Sequence, residues 1–323
     1  MPEKHLRVLA LTQANRMPNW DLFYQELGTH VDLDYRKLSR KEQSNLKSYF
    51  KKIDIDSYDR IFLELRFKRQ LKQKYFIATL PNLVEYEWDA TQNYKKNGKY
   101  EGAWSKYYST MTSLRVISSG HLISERLRQE GYDVRFVPKG FNESEISYLG
   151  LKRDIKLGFI GRIEKAAYDE RKKFIESCVS ELNLKILRTS PGKEYNETLN
   201  RIQFFISADQ GLEEYMGKNF EAMAAGCVLC CYRQGNGEEE ALGLKDMENV
   251  VLYTTLQELK EKLEILYSDN AKSERISKAG KKLADSEYSL TQLASKAARE
   301  LQDPIPKSKN LTLFGRFMAF IGR

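Results

Sequence analysis

Short apolar runs alternate with amphipathic stretches along most of the chain, and this alternation limits the possible folds more than any other feature. The clearest unit is an apolar strand at 115–118, a helix at 121–129 and a second strand at 134–137. Units of this kind form parallel sheets covered by helices on both faces. We expect Ser119 to cap the helix and Gly131 to end it.

The strand–helix alternation occurs in two series, and 323 residues suit two domains of ordinary size. We predict a first domain at 1–140, a second at 141–302 and an amphipathic, basic C-terminal helix at 303–323. The predicted elements of the first series include strands at 6–11, 31–35, 60–65 and 75–79 and a basic helix at 39–52. Those of the second series include strands at 155–160, 184–187, 203–207, 228–232 and 249–253.

Composition favours an ordinary globular protein with anionic partners. The formal net charge is +8, which favours nucleotide phosphates, acidic glycans, membrane surfaces or nucleic acid. The chain contains no recognised nucleic-acid-binding motif, so we expect no nucleic-acid partner. Three of the four cysteines lie in one apolar run, which predicts small side chains in a buried strand rather than a zinc or redox site. These cysteines are Cys178, Cys227, Cys230 and Cys231.

Two glutamates, Glu213 and Glu221, are separated by seven residues and enclose a turn that opens a short helix. The start of a helix presents free backbone N–H groups and a partial positive charge, and diphosphates bind there. A carboxylate in the first turns accepts hydrogen bonds from sugar or ribose hydroxyls, and one on the preceding loop faces the same ligand. The turn residues predicted to face the phosphates are Gly217, Lys218 and Asn219.

This spacing, and the run Phe-Glu-Ala-Met-Ala-Ala-Gly that begins at Phe220, resemble the E-x7-E element of retaining nucleotide-sugar glycosyltransferases, family 4 and the related group 1. The resemblance covers residues 155–301 well and the first domain only in architecture. It implies an α/β fold with two Rossmann-like domains facing a cleft (GT-B) and a helical C-terminal extension. By resemblance, Glu221 binds the donor ribose and Glu213 contacts the donor sugar near the reacting centre. Because Gly217 lies one residue later than the family's usual glycine, Glu214 is an alternative to Glu213.

Cations follow the first strand of the second domain. Gly161 ends that strand, Arg162 and Lys165 come next, and Arg171 lies in the following helix. In the family that this chain resembles, a Gly-Arg segment and a later Lys or Arg bind the donor diphosphate. Arg162 matches the first position, and Lys165 and Arg171 are both candidates for the second. Such cations stabilise the charge that builds on the leaving diphosphate in the transition state.

The first domain lacks the family's glycine-rich loop after its first strand, so Asn15 and Arg16 would have to act through their side chains. Residues 86–108 are rich in aromatic residues and lysines. This segment is either an acceptor-binding surface or a half-buried pair of helices with a solvated basic face.

The C-terminal segment 307–323 carries apolar residues on one helical face, with cations beside them and no acids. This pattern predicts either an interfacial helix on an anionic membrane or a helix packed on the first domain. The N-terminus leads directly into a strand, so we expect no signal peptide and a cytoplasmic protein, peripheral on the inner face of the cell membrane if the helix binds lipid.

The sequence thus favours a retaining glycosyltransferase that moves a sugar from a nucleoside diphosphate donor to a glycan or lipid-linked glycan in bacterial surface polysaccharide synthesis. We expect no metal and no other cofactor. The alternative is a non-catalytic GT-B subunit that binds glycan or a partner enzyme.

Overall fold

The computed structural model describes residues 5–16, 19–163, 169–307 and 310–322. They form two compact units, one of residues 1–137 with 294–323 and the other of residues 138–293. The first division lies close to the predicted one, whereas the chain returns to the first unit at Ala294, earlier than the predicted boundary at 302.

The first unit contains a six-stranded sheet in the order β2-β1-β3-β4-β5-β6, with every pairing parallel. Strands β3, β4 and β5 are buried along their whole length because helices cover both faces. The strands are β1 Arg7–Gln13, β2 Asp32–Leu38, β3 Arg60–Glu64, β4 Leu83–Glu87, β5 Leu114–Ser118 and β6 Asp133–Phe136. The helices are α1 Asp21–Leu27, α2 Arg40–Gln43, α3 Leu46–Phe50, α4 Phe67–Gln70, α5 Lys74–Ile77, α6 Ala103–Tyr108 and α7 His121–Gln129.

The second unit contains a five-stranded parallel sheet in the order β11-β10-β9-β7-β8. Its strands are β7 Ile155–Ile160, β8 Lys185–Leu187, β9 Ile202–Ser207, β10 Val228–Tyr232 and β11 Val251–Tyr253. Its helices are α8 Asp169–Leu182, α9 Lys193–Arg201, α10 Gly217–Ala224, α11 Glu238–Ala241, α12 Leu256–Ser268 and α13 Asn270–Glu287. Helix α14, Leu290–Gln302, begins in the second unit and ends in the first, and α15, Leu313–Phe320, lies in the first.

The order of the strands indicates where on each sheet a ligand would bind. In each sheet the chain first adds one outer strand and then crosses to the other side of its starting strand, so a switch point lies between β1 and β3 and between β7 and β9. In open parallel sheets ligands bind beyond the carboxyl ends of the strands at such points. The segments that follow β7 and β9 are therefore the place to look for a donor site.

Two buried arginines explain the early return to the first unit. Arg60 Nε donates to the Leu301 carbonyl at 3.0 Å, and Arg115 Nη1 donates to the Glu300 carbonyl at 2.7 Å. Carbonyl groups in the last turn of a helix lack partners within it and carry partial negative charge, which guanidinium groups satisfy. The end of α14 is therefore fixed to the first sheet.

Three predicted elements are wrong in detail. The strand predicted at 75–79 is helix α5, because an apolar run of that length does not distinguish a strand from a buried helix. The basic helix predicted at 39–52 is two short helices, α2 and α3, separated at Asn45, whose side chain caps the second. Helix α7 has Gly120 at its N-cap, so the cap position lies one residue after the predicted Ser119.

Candidate functional site

The end of β7 presents the predicted Gly-Arg segment. Gly161 directly follows the strand, and the Arg162 side chain is exposed. A Cβ atom on Gly161 would lie 3.0 Å from the Phe159 ring and 3.3 Å from Lys218 Nζ. A side chain at this position would therefore crowd the place where the strand end meets helix α10. Lys165 lies outside the residues that the structure describes.

Lys218 joins the start of α10 to the end of β7. Its ammonium group donates to the Ile160 carbonyl at 2.9 Å. Burial lowers the pKa of Lys218, the Glu221 carboxylate raises it, and the charges of Arg171 and Arg188 lower it again. Several cations therefore lie close enough to interact at the carboxyl edge of β7, and Arg162 follows the same strand end. The structure brings together the two segments that were predicted to share one diphosphate.

A buried carboxylate, Asp209, supports the other side of the turn. Asn219 Nδ2 donates to Asp209 Oδ2 at 2.7 Å, and Arg171 Nη2 lies 3.6 Å from Asp209 Oδ1. Arg171 Nε also donates to the Ala208 carbonyl at 2.7 Å. Burial raises the pKa of Asp209, whereas Asn219, Ser207, Arg171 and Lys139 lower it. The predicted residues Arg171 and Asn219 are thus tied to the loop after β9.

The two adjacent glutamates before α10 have different environments. Glu214 is 7% exposed, and its carboxylate pairs with Lys139 Nζ at 2.7 Å. Glu213 is partly exposed, and its backbone has a φ of 55°. A non-glycine residue in this left-handed region costs roughly 1–2 kcal/mol. Glu213 is therefore the more accessible carboxylate, on a backbone that the surrounding loop holds in a costly conformation.

Glu221 lies within α10, one turn after Lys218, and accepts a hydrogen bond from the Tyr195 hydroxyl. Burial raises the pKa of Glu221, and the Tyr195 hydrogen bond and the Lys218 charge lower it. Tyr195 lies on α9, which begins after the loop of Ser190, Pro191 and Gly192. Glu221 is thus oriented by a second helix. At the start of α10, Gly217 approaches the Gly140 carbonyl so closely that an added Cβ would lie 3.2 Å from it.

Sequence reasoning did not identify Asp209, Tyr195 or Arg188 as parts of this site. Arg188 directly follows β8 and acts electrostatically on Lys218. Its position after a strand end was a usable signal. Nothing in the local sequence marks Asp209 or Tyr195, because their roles depend on packing between β9, α9 and α10.

The first unit has a cavity of about 270 Å³ at its own switch point, between the ends of β1 and β3. Arg16 Nη2 pairs with the buried Glu64 at 2.6 Å, and the guanidinium lies 5.3 Å from the ring centroids of both Trp20 and Trp88. Among the described residues, Arg16 Nη1 is buried without a hydrogen-bond partner. The cavity is lined by Thr12, Gln13, Ala14, Asn15, Arg16, Asn19, Trp20, Asp21, Tyr24, Tyr35, Lys37 and Glu64.

The aromatic segment 86–108 mostly belongs to the core of the first unit. Trp104, Tyr107 and Tyr108 are each at most 2% exposed. Trp88 is partly exposed and packs on Trp20, with ring centroids 4.3 Å apart. Within this segment, Trp88 is therefore the aromatic that contributes to the wall around Arg16.

The four cysteines are free and buried, as predicted. Burial raises the pKa of Cys227 to about 11 and that of Cys178 to about 12. Thiols with such pKa values stay protonated near neutral pH and are poor nucleophiles. The C-x-x-C spacing is therefore a feature of core packing. Among the residues that the structure describes, no group of three or more His, Cys, Asp or Glu side chains is placed to hold a metal ion.

Comparisons with known proteins agree with this geometry. Residues 149–299 match a family model described as glycosyl transferase-like. A comparison with curated proteins finds no match. Among solved structures, Anabaena HepE in complex with UDP is 14% identical and has a TM-score of 0.63, with 92% of this chain and 99% of that chain covered. Sucrose-phosphate synthase from Thermosynechococcus elongatus is 11% identical with a TM-score of 0.63, covering 91% of this chain and 98% of that one.

A glycosyltransferase from Rickettsia africae is 10% identical and has a TM-score of 0.61, with 92% of this chain and 98% of that chain covered. Identities this low establish the fold, and the family match concerns the segment that carries the site. The predicted fold class, α/β with two Rossmann-like domains, is confirmed. Residues 149–299 are thus similar to a glycosyl transferase-like family, and the chain has the two-domain GT-B fold of these solved structures.

Proposed function

We propose that this protein is a retaining, metal-independent glycosyltransferase that moves a sugar from a nucleoside diphosphate donor to a glycan or lipid-linked glycan. Its place would be bacterial surface polysaccharide synthesis, in the cytoplasm at the inner face of the membrane. UDP is the first donor nucleotide to test, because the similar Anabaena protein has been solved in complex with UDP, with UDP and glucose, and with UDP-glucose.

The observation that carries the proposal is the contact between Lys218 Nζ and the Ile160 carbonyl. It places the first turn of α10 beside the end of β7, at the sheet's switch point. A diphosphate there would meet backbone N–H groups of Gly217 and its neighbours and the positive end of the helix. Gly161 and Gly217 keep the approach free of side-chain bulk.

The cations divide into two roles. Arg162 is exposed at the strand end and would bind the diphosphate oxygens directly, with Lys165 as one of its two predicted partners. Arg171 pairs with Asp209 and the Ala208 carbonyl, so it would chiefly position the loop and add positive charge near the diphosphate. Charge on the leaving diphosphate grows as the glycosidic bond breaks, and fixed cations stabilise that state more than the ground state.

The two carboxylates would hold the rest of the donor. Glu221, oriented by Tyr195, would accept hydrogen bonds from the ribose hydroxyls. Glu213 would contact the sugar near its anomeric carbon, and its costly backbone conformation is the kind of local strain found at functional sites.

Retention would follow from front-side substitution. The bond between the anomeric carbon and the diphosphate oxygen breaks, and the acceptor oxygen forms a bond to that carbon from the same face. The acceptor proton passes to the departing phosphate oxygen, so no protein base is needed. The chain's own residues bind the diphosphate, orient the sugar and stabilise the developing charge.

The cavity at Arg16 is our candidate for the acceptor side. Arg16 Nη1 offers a buried N–H donor without a partner among the described residues, and Trp20 and Trp88 supply aromatic surface beside it. Such a combination suits a sugar ring with hydroxyl or anionic substituents.

The test is donor binding followed by transfer. UDP-sugars, GDP-sugars and ADP-sugars are tested in the presence of EDTA. We expect only one of these three classes to raise the melting temperature of the protein. Arg162→Ala and Glu221→Ala should each abolish transfer while retaining the fold. Arg275→Ala, which removes an exposed arginine from α13, is the matched control and should leave transfer unchanged.

Other outcomes would contradict specific parts of the proposal. Wild-type turnover in both Arg162→Ala and Glu221→Ala would refute the site assignment. Loss of transfer in EDTA that is restored by a divalent cation would refute metal independence, and an inverted anomeric product in NMR would refute retention. No donor response at all would favour the non-catalytic subunit.

A further inference from the structure

Helix α15 packs on the first unit with its small residues and exposes its large ones. Gly315 and Ala319 are buried, and a Cβ atom on Gly315 would lie 3.6 Å from Tyr75 Cδ1 on α5. The residues on the outer face are Leu313, Phe314, Phe317, Phe320 and Ile321, exposed by 85%, 60%, 60%, 77% and 49%. A helix that serves only to stabilise a soluble core would bury its large apolar residues instead.

The helix is nonetheless firmly attached. Thr312 caps it by accepting from the Gly315 N–H at 3.0 Å, and the Phe314 ring packs edge-on against Tyr75 with centroids 5.6 Å apart. Lys47 on α3 donates to the Phe320 carbonyl, and its ammonium lies 4.9 Å from the Phe320 ring centroid. The exposed apolar stripe is therefore held in a fixed orientation on α3 and α5.

A basic segment leads directly into α5. Residues 66–74 contain five cations and no acid, and this segment forms α4, a 3-10 turn and the start of α5. Four of these cations line a surface cavity of about 450 Å³. The lining residues are Ser44, Arg66, Lys68, Arg69, Lys72 and Gln73. Because α5 also contacts α15, this basic segment leads directly into the helix on which the apolar stripe is mounted.

We propose that these two features form one docking surface for an anionic phospholipid bilayer, here called the basic–aromatic face and defined by Leu313, Phe314, Phe317, Phe320 and Ile321 with Arg66, Lys68, Arg69, Lys72 and Lys74. Exposed aromatic side chains insert at the acyl–headgroup boundary, and adjacent cations bind lipid phosphates. The C-terminal helix alone was the feature predicted to bind membrane; the structure adds the segment 66–74 as its electrostatic half. The inference rests on the proposed function only in that a lipid-linked acceptor lies at such a surface.

The test is cosedimentation of the full chain with sucrose-loaded vesicles of phosphatidylcholine, with and without phosphatidylglycerol. We expect binding only to the vesicles with phosphatidylglycerol, weakening as salt rises. Lys68→Glu/Lys72→Glu and Phe317→Ser/Phe320→Ser should each reduce binding roughly tenfold or more. Lys278→Glu/Lys282→Glu on α13 is the charge-matched control, and Val179→Ser/Ile265→Ser, at exposed apolar positions of the second unit, is the apolar control.

Four results would overturn the inference. The first two are no vesicle binding by the wild type and equal binding to vesicles with and without phosphatidylglycerol. The other two are a control variant that loses as much binding as the test variants, and a loss of binding in the lysine variant but not in the phenylalanine variant. The melting temperature, measured on every variant without and with the donor, shows that each is folded. It also separates the two proposals. A wild type that responds to donor but ignores vesicles refutes the docking surface, whereas one that binds vesicles but no donor refutes the proposed function.

Discussion

Glu85 on β4 is a carboxyl group whose burial has a measurable consequence for stability. It is 2% exposed, and its Oε1 accepts from the Tyr107 hydroxyl at 2.7 Å. Burial raises the pKa of Glu85 to about 8, the Tyr107 hydrogen bond lowers it, and the charge of Glu87 raises it. The folded protein therefore holds this carboxyl protonated in a range where the unfolded chain, with a pKa of about 4.3, has lost the proton.

The sign and size of the effect follow from proton linkage. Between pH 4.3 and pH 8 the folded state binds one more proton than the unfolded state, so raising the pH favours unfolding by about 1.4 kcal/mol per pH unit. Over the whole interval this group lowers the free energy of unfolding by roughly 5 kcal/mol. Glutamine has nearly the shape of the protonated side chain and does not ionise. Glu85→Gln should therefore be close to wild type in stability near pH 5 and more stable by several kcal/mol at pH 8.

Tryptophan fluorescence reports on the first unit, because all three tryptophans, Trp20, Trp88 and Trp104, belong to it. Urea unfolding followed by tryptophan fluorescence from pH 5 to pH 8 should show a slope that is about 1.4 kcal/mol per pH unit shallower in Glu85→Gln. Burial also raises the pKa of Glu87, to about 7. Because Glu87 is present in both proteins, its contribution to the pH dependence cancels when the two slopes are compared. Glu125→Gln, at an exposed carboxylate on α7, is the control. Parallel slopes for wild type and Glu85→Gln would refute the reasoning.

Two further predictions concern the donor site. Lys218→Met removes a cation from the turn that we propose faces the diphosphate. Because a hydrogen bond to a charged group contributes about 1.5–3 kcal/mol, UDP affinity measured by calorimetry should fall roughly ten- to hundredfold. Lys193→Met, at an 88% exposed side chain, should not change it. Tyr195→Phe removes the hydrogen bond that lowers the pKa of Glu221, so the acidic limb of the UDP affinity profile should move to higher pH, and an unmoved limb would exclude Glu221 as the titrating group.

The parts of the site that the sequence could predict are those fixed by local spacing. Glu213, Gly217 and Glu221 lie on either side of a helix start that local sequence determines, and α10 does begin at Gly217. Arg162 follows an apolar strand, and the carboxyl ends of parallel strands meet at one edge of a sheet. Their proximity therefore needed only the strand–helix order and no knowledge of any side-chain contact.

The remaining parts depend on packing between distant segments. Asp209 matters because it is buried in the loop after β9, in contact with Asn219 and Arg171, which the sequence does not reveal. The α5 segment was predicted as a strand, and that error concealed its role as the support for α15. Without α5, the small residues Gly315 and Ala319 cannot be recognised as the packing side of the last helix.

The same distinction explains why the two alternatives for the C-terminal helix were not exclusive. An apolar stripe read from sequence is normally assigned either to a core or to a membrane, because one helix face serves one purpose. Here the face with Gly315 and Ala319 packs on the first unit, while the wider face with Phe317 and Phe320 is exposed. Small residues permit close packing with little apolar area, so the helix is attached while its aromatic side chains stay largely exposed. A chain that binds lipid needs this arrangement, since residues buried in the protein cannot also enter a bilayer.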